Sequence, residues 1–129
     1  MAGSSLDQAF ATKLLQTMLQ VGTYTAPTGP IQVALMSTQG SATANGTEVT
    51  GGSYARQNLG AGTPAAGSAS NSGTVTFTNM PAVTTVAVEL WDSAATKVRV
   101  SQGALSANKT TAAGDTLSFS GGAITQTLG

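Results

Sequence analysis

The chain has 129 residues, about one domain's worth, with five basic and five acidic side chains and a net charge of zero. Alanine, threonine, glycine and serine make up more than half of it, and histidine and cysteine are both absent. This excludes thiol nucleophiles, disulfides, Ser-His-Asp triads and Cys/His zinc sites, leaves no basic footprint for nucleic acid, and offers no apolar run near the roughly 18 residues of a membrane span.

The first 22 residues read as one helix. Leu6, Phe10, Leu14 and Met18 recur every four residues, and Leu15 and Leu19 widen the stripe. Asp7, Gln8, Lys13, Gln16 and Gln20 take the other side. Ser5 with Gln8 has the Ser-x-x-Gln form of a capping box, and Gly22 stands where a C-cap is expected. A basic leader and an uninterrupted apolar stretch are both missing, so a secretory signal peptide is not expected here. Residues 1–22 are thus a helix packed on its own domain or an assembly arm lying on a neighbour.

Residues 23–129 follow a period of two and read as one β-sandwich domain. After a Pro/Gly turn at 25–30, Ile31, Val33 and Leu35 alternate with Gln32 and Ala34. A polar loop at 39–46 ends in Asn45-Gly46, a tight-turn dipeptide. Short strands are expected at 47–50 and 53–59, broken by Gly51-Gly52, and a small-residue loop at 60–73. Further strands run through Val75 and Phe77, then 83–91 with Val86, Val88 and Leu90 on one face. Val98 and Val100 are expected to face inward and Lys97 and Arg99 outward, with a bend or extension at 103–105. A polar connection at 108–114 precedes strands marked by Leu117 and Phe119, then by Ile124, Gln126 and Leu128. About eight short strands with no helix between them must pair antiparallel, because parallel pairing needs long crossovers. The expected fold is mainly β, an antiparallel β-sandwich or jelly roll with one N-terminal α-helix.

The residues that could carry chemistry are few. Glu89 and Asp92 are the tempting acid pair, but a solvated strand charge and a turn-capping aspartate explain both. Tyr54 and Arg56, two apart on one strand face, read as a brace: a half-buried tyrosine, and an arginine tying loop carbonyls or a carboxylate. Trp91 reads as a core anchor whose indole nitrogen bonds a loop carbonyl. The sequons at Asn45 and Asn108 are the chance product of abundant threonine. No catalytic residue, metal site or cofactor is expected.

Several segments together resemble a family of short tailed-bacteriophage virion proteins, described as tail-fibre-like or capsid-decoration proteins. They are residues 11–15 (ATKLL), 22–27 (GTYTAP), 31–37 (IQVALMS), 48–57 (EVTGGSYARQ), 90–95 (LWDSAA), 101–114 (SQGALSANKTTAAG) and 115–119 (DTLSF). The resemblance implies a non-enzymatic virion component and transfers no functional residues. The compact, repeat-free chain suits a decoration (cement) protein on the capsid surface, binding the major capsid protein. Self-association is expected, with a homotrimer fitting threefold lattice positions, and a neutral surface does little to repel its own copies. Nucleic acid and membrane are not expected partners. The alternative is a tail fibre or minor tail protein contacting the host surface; a weaker one is a carbohydrate-binding module using Trp91, Tyr24 and Tyr54. Candidate assembly residues are Leu6, Phe10, Leu14, Met18, Tyr54 and Arg56.

Overall fold

Alternation of β-branched and small residues builds the strands at the centre of the molecule. The computed structural model describes residues 4–128. In chain order the elements are β1 (Ser5–Leu6), α1 (Gln8–Met18), β2 (Gln32–Thr38), β3 (Thr47–Glu48), β4 (Gln57–Asn58) and β5 (Ser68–Ser70), followed by β6 (Val75–Met80), β7 (Val83–Trp91), β8 (Arg99–Thr111), β9 (Asp115–Phe119) and β10 (Thr125–Thr127). In the main sheet β7 lies between β2 and β8; β1 pairs outside β8, while β3 and β4 divide the outer edge of β2. The ribbons β6–β9 and β5–β10 complete the body, and every pairing is antiparallel. The fold is a mainly-β antiparallel sandwich with one N-terminal helix.

The core lies between the main sheet and the β6–β9 ribbon. Val33, Leu35, Val88 and Leu90 on one sheet face meet Val75, Phe77, Met80, Leu117 and Phe119, with Val49, Leu59 and Ile124 closing the sides. Phe77 is central: Tyr54 stacks on it at 5.9 Å and Phe119 meets it edge-on at 6.2 Å. Each such large side chain contributes roughly 1.5–3 kcal/mol by leaving water. The opposite sheet face carries a second, smaller apolar cluster of Ala34, Met36 and Ala87, with Val86 and Trp91 partly buried against it.

The helix is shorter than its sequence stripe, and residues 1–3 lie outside the described part. Ser5 and Leu6 pair with Gln102 and Ser101 instead of starting the helix. The N-cap is Asp7, not Ser5: its carboxylate accepts the N–H groups of Ala9 and Phe10, so the expected Ser5/Gln8 capping box does not form. At the other end the cap is Leu19, not Gly22. Gln20 takes the left-handed conformation at φ 55°, and the N–H groups of Gln20 and Val21 reach the carbonyls of Thr17 and Gln16. That is a Schellman closure without its usual glycine.

Other differences are local. The loop at 60–73 contains β5, which pairs with the C-terminal β10, and the expected connection at 108–114 begins as the end of the long β8. The expected strands at 47–50 and 53–59 shrink to β3 and β4. Between them Gly51 (φ 104°) and Gly52 (φ 58°) carry the backbone under β6, where the Ser53 N–H reaches the Asn79 carbonyl. A Cβ at Gly52 would collide with that same carbonyl oxygen.

Candidate assembly surface

On the second face of the main sheet, β7 and β8 set their polar side chains side by side. Glu89 stands opposite Gln102 and Trp91 opposite Arg99, with Val100 the extra residue of a bulge between the two pairs. The face is covered by residues 39–46 and by the start of α1, so its charges leave water. The side chain of Arg99 is 3% exposed and that of Glu89 is 1%. Arg99 compensates by using all five of its N–H bonds. Nε and one terminal nitrogen donate to Asp7 Oδ2 at 3.0 and 2.8 Å, and the remaining three bonds reach the carbonyl of Ser41, the carbonyl of Ala44 and Glu89 Oε1. Glu89 also accepts the Gly46 N–H at 2.7 Å and the Trp91 indole N–H at 3.0 Å. One guanidinium thus fastens the helix N-cap, the covering loop and the sheet.

A second network lies beside the first, at the edge of β2 between β3 and β4, where the Leu35 carbonyl takes the Val49 N–H but no strand reaches the Leu35 N–H. The chain leaves the sheet there, and Tyr54 takes the place of the missing strand: its hydroxyl accepts the Leu35 N–H at 2.9 Å and donates to Glu48 Oε1 at 2.9 Å. Arg56 grips both oxygens of Glu48, at 2.9 and 2.7 Å, and lays its guanidinium 4.6 Å from the centre of the Trp91 ring. Burial raises the Glu48 pKa, but the bonds from Arg56 and Tyr54 and the Arg56 charge outweigh it and hold it below the ordinary value. The Tyr54 hydroxyl is pushed up, by burial first and by the Glu48 charge beside it. Trp91 joins this network to the Arg99 network.

The helix is the part of the surface that the body does not cover. Phe10 is buried, edge-on to Tyr24 at 6.4 Å, and Leu14 is half-buried. Met18 continues the same line one turn further and is 75% exposed. Leu15, Leu19 and Val21 beside it are each more than half exposed. From Leu14 to Gly22 the sequence has no charged residue.

Of the expected assembly residues, Phe10 is buried against Tyr24, Leu14 is half-buried, Met18 is exposed, and Leu6 is half-buried in β1. Tyr54 and Arg56 form the brace expected of them, with Glu48 as its carboxylate. Asp92 is the turn cap expected, accepting the N–H groups of Thr28, Ala94 and Val98. Burial raises its pKa, but those bonds and the Lys97 charge bring it below the ordinary value. Two expectations are corrected. Glu89 and Arg99 point away from the main core as alternation requires, yet the face they point to is sealed. Trp91 bonds a carboxylate rather than a loop carbonyl, and Arg56 covers one face of its ring. Asp7, Glu89 and Arg99 were invisible as a group because they lie far apart in sequence. Leu15, Leu19 and Val21 were legible only as part of the helical stripe.

Among the described residues no group of three or more acidic, histidine or cysteine side chains is placed to hold a metal ion, and no helix is long and apolar enough to cross a membrane. Both arginines and the carboxylates of Asp7, Glu48, Glu89 and Asp92 brace the fold itself. Residues 5–127 match the family model described as podophage GP4 fiber I protein gp80, and the chain belongs to that family. It is a structural protein of the short-tailed phage virion. No curated protein matches the chain.

Proposed function

We propose that the protein is a building block of a short-tailed phage fibre, acting by contact with other virion proteins and not by catalysis. The family match along nearly the whole chain carries this reading. The geometry supports it in two ways. Arg56, Arg99, Glu48, Glu89 and Asp7 are tied up in internal ion pairs, so these five charges hold the fold together. The aromatics that a sugar platform would need are engaged as well, Tyr54 with Phe77, Trp91 with Arg56 and Tyr24 with Phe10.

Locating the chain in an electron-microscopy map of intact particles tests the proposal. Density for the sandwich confined to the tail region, with a low copy number, is the expected result. Density spread over the capsid surface at a copy number matching the major capsid protein would replace the fibre reading with the decoration reading.

A further inference from the structure

The line of α1 that faces the body runs out of body to face. Phe10, Leu14 and Met18 lie four residues apart, on nearly one side of the helix, and pass from 8% to 75% exposed within two turns. A contiguous apolar patch left exposed in this way marks an interaction surface. Beyond Lys13 the helix carries no charge, and its last turn has no basic side chain to offset the helix dipole. Leu15, Met18 and Leu19 stand at i, i+3 and i+4, neighbours on one face of the helix end that another helix can pack against, and Val21 follows just beyond the Schellman turn.

We propose that the overhanging end of α1 is where copies of this chain meet, helix against helix around a symmetry axis. Charge selects this occupant. The patch is neutral on a neutral chain, so identical surfaces do not repel. A lone Lys13 is far from the basic face with which helices bind anionic membranes. Size agrees: Leu15, Met18, Leu19 and Val21 together expose on the order of 400 Å² of apolar surface, about half of the ~800 Å² per partner of a stable interface. Interfaces are a little over half apolar, so the patch supplies the apolar centre, and Gln16, Thr17 and Gln20 supply the polar rim. The anchored end of the helix, held at Asp7 by Arg99, fixes the direction in which the patch is presented. The proposal holds whether the virion carries the chain on its tail or on its capsid.

The test is the mass of the full chain in solution, by light scattering and sedimentation at micromolar concentration. The wild type is expected as a closed oligomer, a whole multiple of 12.7 kDa. The double variant Met18→Glu/Leu19→Glu is expected at the single-chain mass with its β-sheet circular dichroism unchanged, because both side chains are exposed in the single chain. Leu128→Glu, which alters an exposed leucine outside the helix, should keep the oligomer. A wild-type monomer, or an oligomer that survives the double substitution, overturns the proposal. So does a monomer whose α1 end cross-links only to a different virion protein in particles.

Discussion

Replacing Arg99 with methionine keeps most of the side-chain volume and removes the charge. The substitution strands Glu89, 1% exposed, with only the Gly46 and Trp91 N–H groups, and releases Asp7, Ser41 and Ala44 from their shared donor. Breaking a buried ion pair from one side costs about 3–5 kcal/mol, a large part of the roughly 5–15 kcal/mol that holds a domain together. Urea unfolding at fixed chain concentration measures the loss, with the single tryptophan as a local probe, because Trp91 donates to Glu89 itself. The Arg99→Met midpoint should fall by that loss divided by the slope, with the slope itself unchanged. The paired variant Arg99→Met/Glu89→Gln should regain at least about 1 kcal/mol, since the stranded charge is gone. A loss below about 1 kcal/mol for Arg99→Met, or a paired variant no better than the single one, would refute the view that Arg99 is the fastening point of loop, helix and sheet.

Acid should weaken the fold through Glu48 and Asp92. Both titrate below their ordinary values when folded, so their stabilisation is complete above the ordinary carboxylate range near pH 4 and is lost as pH falls through the depressed values. With no histidine, the urea midpoint should stay level from about pH 8 to 5 and then drop. The gap between wild type and Arg56→Met should narrow below about pH 4, as protonated Glu48 lets go of Arg56; a gap that persists down to about pH 2 would contradict this. Tyr54→Phe keeps the ring on Phe77 but leaves the Leu35 N–H without its acceptor, so it should cost about 1–3 kcal/mol and speed hydrogen exchange at the Leu35 amide. An exchange rate that does not change would show that the hydroxyl does not close the sheet edge.

The strands were legible because core-facing apolar residues recur at every second position. Val33 and Leu35, Val88 and Leu90, Leu117 and Phe119 all face the core as the alternation predicts. Alternation also put Glu89 and Arg99 on the other face correctly, but a period of two says only which face, not whether that face meets water. What seals it is the loop at 39–46, an ordinary polar loop in sequence, whose Ser41 and Ala44 carbonyls point inward at Arg99. The helix start was misplaced for a similar reason. Ser5 and Gln8 have good local capping chemistry, yet Asp7 caps the helix and holds Arg99 at once, while Ser5 and Leu6 are drawn into β1. The Tyr54–Arg56 brace was legible in type; its carboxylate, Glu48, followed only from the shape of the β2 edge.

The bond between Asp7 and Arg99 joins positions 92 residues apart, and β1 is fastened to the same stretch of chain. During synthesis the helix therefore emerges from the ribosome long before its mooring exists, and it cannot be set in place until most of the sandwich has been made. A truncated or stalled product would carry the sticky helix but not its aim. Correct orientation of that helix is in effect a certificate that the chain has been made at least as far as β8.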